Sequence, residues 1–203
     1  GVITGVSVSH RRARVGEIGA AGRDQQRVLV RDLIAREDVK EAFGLQTCNR
    51  AEAYIVTEDG AAGREVLSDF APAVREGAVV HMAHEESIRH LMRVAAGLES
   101  LIIGEDQIMG QFRDAIEEAR GVGGVGQTLE EALLKAVHVG ERARTETGIN
   151  EGTVSLGSAA VKLAKKGVRS QRLLHSSWVP ARSVPWLPVR WWMPALDGSP
   201  SPT

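Results

Sequence analysis

The 203-residue chain has the composition of an ordinary soluble globular protein: 43% of its residues are hydrophobic, and 25 Lys and Arg side chains nearly balance 26 Asp and Glu. A single cysteine excludes a disulfide framework, and the lack of an 18-residue apolar run excludes a membrane-spanning helix. The sequence opens at Gly1 without a basic and then apolar leader, so we expect a cytoplasmic protein with no membrane partner.

Four strands and two helices are predicted in the first part of the chain. The strands fall at residues 2–8, 42–46, 51–57 and 78–82, and the helices at 23–36 and 61–70. This β-α-β-β-α-β order is that of the split βαβ, ferredoxin-like fold. Helices joined by glycine-rich turns follow, at residues 85–98, 105–120, 128–145 and 154–166. The predicted fold class is therefore α+β, with a helical segment after the sheet.

The composition changes near residue 168. All four Trp and six of the seven Pro follow that point, whereas residues 1–167 hold 21 basic and 25 acidic side chains, a net charge of −4. Closely spaced prolines are incompatible with a helix or an interior strand. We therefore predict a disordered tail at residues 168–203.

Residues 121–126 match the dinucleotide-binding pattern G-x-G-x-x-G. That pattern binds a pyrophosphate where it follows a strand and opens a helix. Here it follows the predicted helix 105–120, and Thr128 is placed to cap the next helix. We interpret it as a helix–helix connection and not as a cofactor site.

Cys48 lies in a polar turn between two predicted strands, Thr47-Cys48-Asn49-Arg50. A lone intracellular cysteine is most often a small buried hydrophobe, but these neighbours do not form a core-facing apolar run. Arg50 is suited either to favour the nucleophilic thiolate or to hold a carboxylate in a bidentate pair. We do not expect it to do both at full strength.

Three blocks of sequence stand out: residues 47–54 (TCNRAEAY), 97–111 (GLESLIIGEDQIMGQ) and 142–149 (RARTETGI). They resemble the glutamyl-tRNA reductase family, and the resemblance spans residues 2–167. The family reduces the glutamyl group of glutamyl-tRNA(Glu) with NADPH to glutamate-1-semialdehyde, which opens the C5 route to 5-aminolevulinate and tetrapyrroles. The resemblance implies a catalytic domain, an NADPH domain and dimerisation helices along one long spinal helix.

The resemblance also implies the site residues. Cys48 stands at the position of the family's nucleophile and would form a thioester with the glutamyl group, releasing tRNA. His90 matches a histidine that the family needs for activity and would assist proton transfer, the alternative being a satisfied structural histidine. The implied substrate-binding set comprises Cys48 and the following residues: Thr47, Asn49, Arg50, Ser100, Glu105, Asp106, Gln107 and Gln111.

Within this set, Arg50 with Thr47 and Asn49 would hold the glutamyl group, since its carboxylate needs a fixed cation. Ser100 and Gln107 would supply hydrogen bonds, and Glu105 suits the ammonium group of the substrate. Asp106 departs from the proline that relatives often carry there. The alternative for residues 105–107 is simple capping of the first turn of a helix.

A tRNA partner raises an electrostatic question, because nucleic-acid binders usually present a basic face and residues 1–167 are slightly acidic. Arg11, Arg12 and Arg14 form one basic cluster. A second set lies on the predicted helices: Arg113, Arg120, Lys135, Arg142 and Arg144. The alternative for each of these charges is solvated surface. The spacing His81-x-x-His84 is too weak a pattern to predict a metal site.

We divide the chain into a catalytic domain at residues 1–151, the start of a linker to an NADPH domain at 152–167, and the tail. In the family the helix at 154–166 leads into a glycine-rich NADPH loop, and a shifted reading frame over residues 176–184 permits such a loop here. We therefore interpret 168–203 as translated out of frame, which would leave the NADPH domain incomplete, the alternative being a genuine tail.

The resemblance implies a homodimer for the full-length family and a downstream aminomutase as a further candidate partner. The alternative function is a non-catalytic fragment that binds glutamyl-tRNA or another protein.

Overall fold

A computed structural model describes residues 1–22, 26–75 and 77–151. It contains a four-stranded sheet made of β1 Val2–Ser9, β2 Glu41–Thr47, β3 Arg50–Thr57 and β4 Val79–Ala83. The strand order is β2-β3-β1-β4, and each neighbouring pair is antiparallel. The helices are α1 Val15–Ala21, α2 Gln26–Ile34, α3 Gly60–Leu67, α4 His84–Ala95, α5 Gln107–Gly121 and α6 Gln127–Glu146.

The predicted mixture of helices and an antiparallel sheet is confirmed, with each strand within one residue of its predicted ends. Helix α1 was not predicted, because its seven residues bury only Ile18 and Ala21 and offer little periodicity. Helix α4 ends at Ala95 and not at 98, since Gly97 takes φ 79°, a left-handed conformation that terminates helices. The predicted helix at 154–166, the linker and the tail lie outside the described residues.

Helices pack on both faces of the sheet. One face carries Val8 of β1, which packs with Ile18 of α1. The opposite face carries Phe43 of β2 and Tyr54 of β3, whose ring centroids are 6.0 Å apart, and Phe112 of α5 lies 5.7 Å from Phe43. Because β3 is buried along its whole length, its polar side chains are buried as well.

The glycine-rich run at 121–126 joins α5 to α6, which confirms the predicted helix–helix connection. The carbonyl of Gly124 accepts a hydrogen bond from the backbone N–H of Ala42 on β2 at 2.7 Å. A Cβ on Gly124 would lie 2.3 Å from the side chain of Val30. The glycine therefore permits close packing of the connection against β2.

Glu41 of β2 caps α6 from another element of the fold. Its carboxylate accepts hydrogen bonds from the backbone N–H groups of Gly126, Thr128 and Leu129 at 3.1, 3.0 and 2.7 Å. The negative charge lies at the positive end of the helix dipole. The predicted cap, Thr128, is wrong, because α6 begins at Gln127 and its N-cap position is Gly126, two residues before Thr128.

We expect Glu41→Ala to lower the free energy of unfolding by about 2 kcal/mol, because three backbone donors lose their acceptor. Urea unfolding followed by circular dichroism measures this value. Glu37→Ala is the matched control, since Glu37 is exposed, and a change within about 0.5 kcal/mol is expected there. Equal stability of the two variants would contradict the capping role.

Candidate active site

Cys48 and Asn49 form the two-residue turn between β2 and β3, whose last paired residues are Thr47 and Arg50. The Thr47 hydroxyl oxygen accepts a hydrogen bond from the Asn49 backbone N–H at 3.1 Å. The Asn49 carbonyl accepts one from the backbone N–H of His10 at 3.0 Å. These bonds hold the turn, and the free Cys48 side chain on it is exposed. The alternative that Cys48 is a buried hydrophobe therefore does not hold.

The guanidinium of Arg50 lies in the protein interior, and the residue is only 1% exposed. Its Nη1 donates to Oε1 of Glu52 at 3.2 Å, and its Nη2 donates to the carbonyl of Glu99. The carboxylate that Arg50 binds in this structure is thus an internal one. Through Glu99, Arg50 also joins the strand after the Cys48 turn to the loop after α4.

Glu52 is the centre of a buried polar cluster on β3. Its Oε1 accepts hydrogen bonds from the Ser7 hydroxyl at 2.8 Å and from Arg50, and it lies 2.9 Å from Nε2 of His90. Its Oε2 accepts a hydrogen bond from the Tyr54 hydroxyl at 2.8 Å. Four side chains from β1, β3 and α4 therefore converge on one carboxylate.

Burial by itself would raise the pKa of Glu52, but the charge and hydrogen bond of His90, followed by Arg50 and the Tyr54 hydroxyl, lower it to about 2. Burial and the adjacent Glu52 carboxylate raise the pKa of Tyr54 well above its usual range. At neutral pH the cluster accordingly contains a carboxylate anion next to a neutral phenol.

Tyr54 reaches Glu52 because β1 carries a glycine opposite it. Gly5 pairs with Tyr54 across the sheet, and a Cβ on Gly5 would lie 2.8 Å from two carbons of the tyrosine ring. Ser7, Glu52 and Tyr54 were not predicted as site residues from the sequence. The available signal was the i, i+2 spacing of Arg50, Glu52 and Tyr54, which places three polar side chains on one face of a strand.

His90 lies on α4 with its side chain 19% exposed, and its Nε2 faces Glu52. It is therefore a partnered histidine that solvent still reaches. His84 at the start of the same helix accepts a hydrogen bond from the Ile3 backbone N–H through Nδ1, at 3.3 Å. In the described residues, no group of three or more His, Cys, Asp or Glu side chains is placed to hold a metal ion.

The loop after α4 contains Ser100, which is 5% exposed and whose hydroxyl has no hydrogen-bond partner among the described residues. Its neighbour Glu99 accepts hydrogen bonds or ion pairs from Arg93 at 2.6 Å and Arg11 at 3.0 Å, besides the bond from Arg50 to its carbonyl. These contacts fix the loop next to the buried cluster. Ser100 is thus held in place with an unsatisfied polar atom.

The remaining predicted substrate-binding residues lie at and after the start of α5. Asp106 occupies the N-cap position without a capping hydrogen bond, and its carboxylate accepts instead from Nε of Arg144 on α6 at 3.2 Å. Arg144 also donates to the carbonyl of Glu105 at 3.0 Å. In the described parts of the chain, no hydrogen bond joins the Cys48 turn to the side chains of this group: Glu105, Asp106, Gln107 and Gln111.

Cys48 is thus an exposed thiol on a strand–strand turn, and the buried Arg50 and Glu52 and the partly buried His90 follow it in the chain. A family model described as the N-terminal domain of glutamyl-tRNA(Glu) reductase matches residues 6–147. The chain belongs to this family, which confirms the resemblance found in the three sequence blocks.

Several proteins named glutamyl-tRNA reductase are similar to this chain. Glutamyl-tRNA reductase of Haloquadratum walsbyi is 60% identical over 168 residues, which are 83% of this chain and 37% of that protein. The reductase of Natronomonas pharaonis is 57% identical over 164 residues, which are 81% of this chain and 36% of that protein. The solved glutamyl-tRNA reductase from Methanopyrus kandleri matches with a TM-score of 0.69 and 37% identity, over 81% of this chain and 39% of that one. The chain therefore spans little more than a third of the length of these relatives.

No helix among the described residues is both long enough and apolar enough to cross a membrane.

Proposed function

We propose that this chain carries the acyl-transfer step of a glutamyl-tRNA reductase, in which Cys48 takes the glutamyl group from glutamyl-tRNA(Glu) as a thioester. The observation that carries the proposal is the exposed Cys48 thiol on a fixed turn directly before the buried Arg50 and Glu52. The names of the relatives support the substrate. In the whole enzyme, NADPH-dependent reduction of the thioester would yield glutamate-1-semialdehyde, the precursor of 5-aminolevulinate and tetrapyrroles.

In the proposed step, the Cys48 thiolate forms a bond to the carbonyl carbon of the aminoacyl ester, and the bond from that carbon to the terminal ribose oxygen breaks. We propose that His90, whose side chain solvent still reaches, takes the proton of the Cys48 thiol and returns it to the departing oxygen. The products are a Cys48 thioester and free tRNA. The ester is an activated acyl group, so the exchange needs no further reactant.

The geometry refines the proposed substrate contacts. Arg50 already binds Glu52 and the Glu99 carbonyl, so a substrate carboxylate would share its guanidinium with these two partners. A buried hydroxyl without a partner costs about 1–3 kcal/mol, and a substrate group that bonds to Ser100 would remove that cost. Thr47 and Asn49 beside Cys48, and the four α5 residues, stay predicted contacts.

Residues 121–126, where the sequence matches a dinucleotide-binding pattern, do not fit NADPH. Gly124 in the 121–126 run packs against Val30 and β2, so its α-carbon is covered by protein and not open to a pyrophosphate. We derive no hydride step from these residues. NADPH as a cofactor, a homodimer and an aminomutase partner stay proposals for the enzyme as a whole.

We also assign the sheet to the split βαβ, ferredoxin-like arrangement, which the order β2-β3-β1-β4 supports. The domain limits at 1–151, the linker at 152–167 and a cytoplasmic location stay predictions. The out-of-frame interpretation concerns residues 168–203, which lie outside the described part of the chain.

We place the acceptor end of the tRNA across Arg12 and Arg14, which follow His10 at the Cys48 turn. Both side chains are exposed and form no ion pair with another described residue. Four of the five basic residues on the helices are instead paired with carboxylates: Arg113 with Glu141, Arg120 with Glu117 and Glu130, Arg142 with Glu146, and Arg144 with Asp106. Arg12 and Arg14 are therefore freer to bind phosphates near the thiol.

The double variant Arg12→Ser, Arg14→Ser is expected to bind glutamyl-tRNA about tenfold more weakly. The slope of log Kd against the logarithm of the salt concentration is expected to fall by about two, one for each lost phosphate contact. Filter binding at several salt concentrations measures both values. Arg113→Ser, Arg142→Ser is the matched control and is expected to bind as the unmodified protein does. Equal losses in the two double variants would contradict this placement.

The proposed function is tested by mixing the protein with tRNA that carries a radiolabelled glutamyl group. The expected result is label that stays with the protein after denaturation and is released by hydroxylamine, as a thioester is. Retention of intact glutamyl-tRNA without label on the protein would favour the alternative, a fragment that binds and does not react.

A further inference from the structure

We propose that Glu52 is a positioning residue for His90: it holds the Nε2–H of the ring, so that Nδ1 is the atom that exchanges a proton at the site. The inference rests on the proposed acyl transfer for its role in the reaction. The tautomer itself is a property of the folded chain and is measurable without any substrate.

The hydrogen-bond partners of Glu52 define the direction of the contact. Ser7, Arg50 and Tyr54 all donate to this carboxylate, which is fully buried and ionised at neutral pH. A carboxylate anion only accepts hydrogen bonds, so the His90 nitrogen that lies 2.9 Å away must carry the proton. In a neutral imidazole the other nitrogen, Nδ1, then bears the free lone pair.

The sheet fixes the carboxylate against which the ring is oriented. Ser7 on β1 and Glu52 on β3 are directly paired in the sheet. Arg50 and Tyr54 lie two residues to either side of Glu52 on the same strand, and the tyrosine ring is lodged against Gly5. Because these groups belong to paired strands, the position of the acceptor does not depend on a mobile loop.

The other side of the His90 ring is available for chemistry. Among the described residues the hydrogen bond of His90 runs through Nε2 to Glu52, and the side chain is 19% exposed. A carboxylate that binds one ring nitrogen of a functional histidine commonly fixes the tautomer and the orientation of the ring. Glu52 therefore determines which nitrogen of His90 can accept or return a proton during transfer of the glutamyl group.

The test is a long-range ¹H–¹⁵N correlation spectrum of the ¹⁵N-labelled full chain, recorded as the pH is raised until the ring is neutral, with the His90 signals assigned by their loss in His90→Gln. The expected result is a single neutral tautomer protonated at Nε2. A ring protonated at Nδ1, or comparable amounts of both tautomers, would overturn the proposal.

Glu52→Asp tests the cause, since it keeps a buried negative charge but shortens the side chain by one methylene and so withdraws the carboxylate from His90. We expect both tautomers in this variant and a rate of glutamyl transfer about tenfold to 100-fold lower, with unchanged alkylation of Cys48 by iodoacetamide. Tyr54→Phe, which removes a donor on the other oxygen, is the control and is expected to keep the Nε2–H tautomer.

A single Nε2–H tautomer that persists in Glu52→Asp would show that Glu52 does not orient the ring. If the unmodified protein forms no thioester, the acyl-transfer proposal fails while the tautomer result still decides whether Glu52 positions His90. The two failures are therefore distinguishable.

Discussion

Cys48→Ser is expected to lower the rate of glutamyl transfer from glutamyl-tRNA to the protein by on the order of 10³-fold or more. A serine hydroxyl without a dedicated base is a far weaker nucleophile than a thiolate at neutral pH, and loss of a covalent nucleophile removes most of the chemical step. The thiol is exposed on its turn and belongs to neither hydrophobic cluster of the core. The free energy of unfolding is therefore expected to change by less than about 0.5 kcal/mol.

Rapid quenching of single-turnover reactions measures the transfer rate, and urea unfolding of the same variant gives its stability. A large loss of rate with unchanged stability would identify a chemical role for the sulfur. A variant that transfers the glutamyl group as fast as the unmodified protein would contradict it.

The second large effect concerns acid stability. The unmodified protein is expected to exceed Glu52→Gln in stability by about 3 kcal/mol at pH 7, and this difference is expected to disappear as the pH falls to 2. Folding lowers the pKa of Glu52 from 4.5 to about 2, so the ionised carboxylate stabilises the folded state. That contribution is complete above about pH 5 and is lost as the pH falls through the folded-state pKa. Each pH unit between the two pKa values corresponds to about 1.4 kcal/mol.

Urea unfolding at pH 7, 5, 4 and 3 measures the difference between the two proteins. Glu37→Gln provides the control, because this exposed side chain should show no comparable dependence on pH. A Glu52→Gln deficit that stays constant from pH 7 to pH 3 would mean that the lost charge is not its cause.

The local pattern of the sequence was sufficient for the strands and the long helices. Alternation and turn residues located all four strands, and the position of residues 121–126 after a helix predicted a connection and not a cofactor loop. Ends of elements were harder to predict, because they depend on distant partners. Glu41 caps α6 although 86 residues separate it from Gln127, and no local signal near Thr128 indicates such a cap.

The candidate site was predictable in its exposed part and not in its buried part. Cys48 was located by its polar neighbours and by the family resemblance, and the structure places it on the expected turn. The contact between Glu52 and His90 joins residues 38 apart and needs both the register of β1 with β3 and the packing of α4. The ion pairs of the helical arginines likewise depend on how α5 and α6 pack together.

The central claim is that the sulfur of Cys48 receives the glutamyl group. Peptide mapping by mass spectrometry, after the reaction with glutamyl-tRNA is stopped in acid, tests this claim most directly. We predict the mass of one glutamyl group on the peptide that contains Cys48 and on no other peptide. A glutamyl group on a different residue, or an unmodified Cys48 peptide in a sample whose tRNA has been deacylated, would contradict the account.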